Sequence, residues 1–68
     1  MWVARDKDGE LNLYKAKPQR SDAIGYNHES WDTLKFDDNG IELDPKLFPD
    51  LTWDDEPIEV ELVRKNKN

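Results

Sequence analysis

Glu59 and Glu61 stand two residues apart in "PIEVELV", and a strand would carry both carboxylates on one face, the arrangement that acid/base work or a hard metal ion requires. The same spacing marks the wet side of an ordinary strand, where acidic side chains also discourage edge-to-edge pairing, and that is the reading preferred. His28 is the only histidine, in "YNHES" beside Glu29 and Ser30. Residues adjacent in sequence seldom face one another, and no nucleophile elbow or second base accompanies these, so an exposed loop histidine is expected rather than a general base. One histidine and no cysteine leave zinc without its usual ligands. The pairs Asp8-Gly9 and Asn39-Gly40 suggest calcium loops. Yet with glycine at the sixth position, the first and twelfth positions become Ala4 and Lys15, or Lys35 and Lys46, which are not ligands. No glycine-rich phosphate loop or basic aromatic platform occurs. The expectation is a chain with no catalytic residues, metal or cofactor.

The elements that would position any site are short and β-rich. In "WVARDKDGELNLYK" a two-residue turn would set Ala4 opposite Leu13, whereas a three-residue loop with Gly9 in a bulge sets Val3 opposite Leu13 and Trp2 opposite Tyr14. The second register is favoured, because it groups Val3, Leu11 and Leu13 on one face and pairs two aromatics on the other. In "TLKFDDNGIELD" a two-residue turn at Asn39-Gly40 predicts a second hairpin, with Leu34, Phe36, Ile41 and Leu43 on one face. Between the hairpins, residues 16–32 form a long connection that tucks Ile24, Tyr26 or Trp31 against the sheet. "DPKLFPDL" predicts one helical turn near residues 45–48, stopped by Pro49, that drops Leu47 and Phe48 onto the core. A last strand points Ile58, Val60 and Leu62 inward after Pro57. The predicted fold is a small antiparallel sheet of about five strands, two hairpins plus a C-terminal strand, able to curl into a half barrel.

At 68 residues without cysteine, a single small core supplies only ~3–5 kcal/mol, and disulfides cannot add to it. Seven aromatic residues argue for a folded core despite 38% charged residues. Residues 1–63 are expected to form one domain and the basic 64–68 a disordered tail. No leader-like or membrane-spanning apolar stretch appears, which predicts a cytoplasmic protein without membrane contact. Charge is uneven: from Asp37 to Glu61 one lysine faces ten carboxylates, a net of −9 in a chain of −6. Such a segment disfavours direct nucleic-acid binding, which rests on Lys and Arg displacing counterions. Lys15, Lys17 and Arg20 are expected to pair across the sheet with this acidic segment.

The opening "WVARDKDGELNLYKAKP" and the later "LDPKLFPDLTWDDEPIEVEL" resemble short uncharacterised proteins of phages and other mobile elements of gut bacteria. The likeness rests on Trp2, Arg5, Asp6, Gly9, Lys17 and Pro18, and on Leu47, Phe48, Pro49, Leu51, Trp53 and Pro57. It implies a genomic setting and no mechanism. The function expected is a non-catalytic interaction module with a protein partner or a second copy of itself. Its contacts would be Trp53, Asp54, Asp55 and Glu56, with Trp2 and Tyr14 as partly exposed aromatics. The alternative is an acidic inhibitor mimicking nucleic-acid phosphates, which needs the carboxylates on one face; a third is a carboxylate metal-dependent hydrolase.

Overall fold

The computed structural model describes residues 1–25, 29–35, 38–61 and 63. The fold is mostly β, as the patterning predicts, with six short strands among the described residues where about five were expected. Strands β1 (Trp2–Arg5), β2 (Leu11–Tyr14), β5 (Ile41–Leu43) and β6 (Ile58–Glu59) form one antiparallel sheet in the order β5-β2-β1-β6. Strands β3 (Gln19–Arg20) and β4 (Trp31–Asp32) pair separately. The four-stranded sheet is open and does not close into a barrel.

The first hairpin takes the bulged register, with Trp2 opposite Tyr14 and Val3 opposite Leu13. Gly9 supplies the positive φ of +96°, the Gly9 amide donates to the Asp6 carbonyl, and the Asp8 carboxylate accepts from the Glu10 amide. Glycine and an Asx turn thus fix where the strands meet. Alternation then sends Val3, Leu11, Leu13, Ile41, Leu43 and Ile58 to one face of the sheet. Leu51 covers that face, packing with buried Val3 and Leu11, while Ile58 and Val60 pack against the same cluster. The other face carries Ala4 and Tyr14, covered by Trp31 with Trp53 beside it.

Among the described residues the predicted second hairpin is not seen, because residues 33–35 are not in a strand. Strand β5 pairs instead with β2, Ile41 opposite Leu13 and Leu43 opposite Leu11. The reason is Asp38, whose carboxylate accepts from the backbone amides of Lys15 and Ala16 at the end of β2, while its carbonyl accepts from the Thr33 hydroxyl. A buried carboxylate so occupied holds its segment against β2 rather than across from Ile41. Gly40, at φ +83°, lies flat on Tyr14, where an added Cβ would approach the ring to 2.8 Å. Leu34 is 76% exposed as a result, and Phe36 lies outside the described residues.

Two further expectations change. Residues 45–48 form a hydrogen-bonded turn and not a helix, while the helical turn of the fold is the 3₁₀ stretch Ser21–Ile24, ended by Gly25 at φ +98°. The described part of the 16–32 connection is more than a bare link: β3 and β4 bracket the 3₁₀ turn, and Trp31 packs onto the sheet. Tyr26, His28, Asp37, Leu62 and the tail 64–68 lie outside the described residues. Among those described, no helix is long and apolar enough to cross a membrane.

Candidate interaction surface

Arg5 ends β1 on the same face as Val3, and its guanidinium is saturated by backbone oxygens. Nε donates to the Leu51 carbonyl (2.5 Å), Nη1 to those of Gly9 (2.8 Å) and Pro45 (3.2 Å), and Nη2 to those of Leu47 (2.8 Å) and Phe48 (3.1 Å). All five N–H donors of the fork find an acceptor. Four of those carbonyls belong to residues 45–51, so the loop is wrapped with its carbonyls turned inward around a cation.

The wrapping corrects the expectation for Leu47 and Phe48. They do not drop onto the core; they are 47% and 37% exposed, and Leu51 fills the core position instead. Phe48 holds a φ of +50°, a left-handed conformation that costs a non-glycine residue ~1 kcal/mol or more. Turn bonds from the Leu47 amide to the Asp44 carbonyl and from the Leu51 amide to the Phe48 carbonyl fix the flanks, and Asp44 caps the Lys46 amide. The result is a pre-shaped loop with an apolar tip between Asp44 and Asp50. Its signal in the sequence is faint: an arginine one residue before a polar turn looks like a solvated charge.

The residues expected to make contacts are dispersed by the fold. Tyr14 is buried, its hydroxyl donating to the Trp31 carbonyl at 3.2 Å. Burial pushes its phenol above the ordinary value of 10.0, with the carboxylates of Asp6, Asp32, Asp38 and Glu10 pushing the same way. Trp2 is half-buried with the Lys17 ammonium 5.4 Å from its ring centre. Trp53 meets Trp31 edge to face at 5.7 Å, and the Arg20 guanidinium sits 4.1 Å from the Trp53 ring and 4.6 Å from the Trp31 ring while donating to the Trp53 carbonyl. Lys17 and Arg20 thus stack on indoles, whereas Lys7 forms an ion pair with Glu29.

Asp55 is turn chemistry, accepting from the Thr52 amide and hydroxyl at 2.8 and 3.0 Å. Asp54 and Glu56 are exposed, and Glu56 lines a depression of about 370 Å³ with Lys17, Gln19, Arg20 and Trp31. Glu42 and Asp44 go with β5, Glu59 with β6, and these strands are the opposite edges of the sheet. Three strand spacings separate them, about 14 Å. Among the described residues no group of three or more His, Cys, Asp or Glu side chains could hold a metal ion. No protein family, curated protein or solved structure matches this chain.

Proposed function

We propose that the chain is a non-catalytic protein-interaction module whose contact element is the Arg5-wrapped loop, with Leu47 and Phe48 as its apolar tip. The observation that carries this reading is the backbone strain at Phe48, in a loop held by four hydrogen bonds from Arg5 while the side chain remains partly exposed. The same fork seats Leu51 in the core, yet the loop with its left-handed residue leaves Leu47 and Phe48 partly at the surface, where core packing does not account for them. Pre-organisation of a contact explains the arrangement, since an ordered loop loses less entropy on binding. The resemblance of the two ends to short phage and mobile-element proteins suggests the genomic setting of an accessory protein, for which a host or phage protein is the partner proposed.

A photo-crosslinking residue placed at position 47, with one at exposed position 35 as control, tests the proposal in cells that naturally carry the protein. The expected result is one discrete crosslinked protein from position 47 and none from position 35, lost when Phe48→Ser is added to a chain that retains its circular dichroism and melting temperature. Equal labelling from both positions, or crosslinks indifferent to Phe48→Ser, would overturn it.

A further inference from the structure

Strand β5 is the outer strand of its sheet, bonded to β2 on one side only among the described residues. An outer strand carries a row of backbone N–H and C=O groups aimed away from the sheet, which an extended chain can pair with. The two faces of this edge differ sharply. On one, Ile41 is 61% exposed and Leu43 half-buried, continuing the apolar row of Leu11 and Leu13. On the other, exposed Glu42 stands opposite Asn12, whose side-chain amide donates to the Glu10 carboxylate at 3.4 Å. A strand added here would lay one set of alternate residues against aliphatic carbons and the other against two carboxylates.

We infer that the β5 edge receives an extended segment of a partner protein in which apolar residues alternate with lysine or arginine. Charge complementarity selects this occupant, because the edge lies within the segment of net −9 and its polar face presents Glu42 and Glu10. A second copy of the chain is disfavoured by the same charges: antiparallel pairing about the centre of β5 would set Glu42 against Glu42. Glu42 thereby excludes self-pairing and selects a basic partner with one side chain. This contact is separate from the Leu47–Phe48 tip and does not depend on it.

Nuclear magnetic resonance titration of the full chain with two acetylated, amidated peptides, Val-Lys-Val-Lys-Val and Val-Glu-Val-Glu-Val, tests the inference. The lysine peptide is expected to give saturable shifts at the amides of Ile41, Glu42 and Leu43, weakening several-fold as salt rises past physiological strength. The glutamate peptide should give none. Glu42→Lys is expected to reverse that preference, and Glu42→Gln to weaken the lysine peptide without admitting the other. Both variants sit at an exposed position, and unchanged shifts at Val3 and Leu11 will show that the core is retained. Absence of saturable shifts on β5 at millimolar peptide, equal response to both peptides, an unaltered preference in Glu42→Lys, or concentration-dependent self-association through β5 would each overturn the inference.

Discussion

Asp6 carries the fold's clearest conflict at the level of a single side chain. Its Oδ1 accepts from the Trp31 backbone amide at 3.0 Å, which favours the carboxylate. Burial outweighs that bond and raises its pKa above 3.8, and Asp8 and Glu10 add to the rise. An acid raised on folding holds its proton longer in the folded chain than in the unfolded one. As pH climbs past 3.8 the unfolded state therefore releases its proton first, stability falls, and the loss becomes constant once folded Asp6 has also ionised. Asp6→Asn keeps an oxygen for the Trp31 amide and removes the charge. Its urea midpoint is expected to exceed that of the parent at pH 7 and to match it at pH 3. A variant weaker than the parent at pH 7 would mean that charge on the hydrogen bond matters more than burial. The hydrophobic partners of this region were legible in the sequence, since Gly9 and the Trp2/Tyr14 pairing set the register. Asp6 itself was not: its partner Trp31 lies 25 residues away, beyond the reach of any local pattern.

Among the elements, the loop after β5 depends on one side chain from another strand. Arg5→Lys retains the charge but replaces a planar five-donor fork with a compact ammonium on a flexible stem, which cannot reach carbonyls on residues 9, 45, 47, 48 and 51 together. Both Arg5→Lys and Arg5→Ala are expected to cost ~2–4 kcal/mol, from lost charge-assisted bonds and from carbonyls left poorly paired. Hydrogen exchange should locate the effect, with protection lost at the Leu47 and Leu51 amides of the loop turns before it is lost at Val3 or Leu11. Full rescue by lysine, or protection lost evenly across the sheet, would show that the fork does not hold the loop. The same contrast explains why strand patterning succeeded at β1, β2, β5 and the start of β6 but gave β5 the wrong partner, since residues 33–35 form no strand for it to pair with. Alternation and turn residues identify a strand's existence, but Asn39-Gly40 could not reveal that the Asp38 carboxylate was taken by Lys15 and Ala16. Nor could the spacing of Lys17 and Arg20 show that both cations rest on indoles, because the stacking partners come from β1, β4 and the Trp53 turn.

For the molecule as a whole, one thin sheet supports a small apolar cluster on each face, Val3, Leu11 and Leu51 on one and Ala4, Tyr14 and Trp31 on the other. Clusters this small leave long-range charge a visible share of the stability. Carboxylates reach both edges of the sheet, Glu42 on β5 and Glu59 on β6, and across about 14 Å of water each unscreened pair repels by roughly 0.3 kcal/mol. Among the described residues, Lys17 and Arg20 lie over tryptophans and Lys7 pairs with Glu29, so these cations are not in ion pairs with the carboxylates at the sheet edges. Salt shortens the Debye length from about 30 Å at 0.01 M to about 8 Å at 0.15 M, which removes most repulsion between edges. The short-range bonds of Arg5 and Asp38 to backbone groups are far less affected, being made at contact distance. Raising sodium chloride from 0.01 to 0.5 M is therefore expected to increase unfolding stability by ~1 kcal/mol, read as a higher urea midpoint at constant slope. Sodium sulfate at equal ionic strength should add more, since it also strengthens apolar burial. A midpoint that falls with sodium chloride would mean that attraction between opposite charges, and not repulsion among carboxylates, governs the folded surface. It would also weaken the case that the acidic β5 edge is free to meet a basic strand.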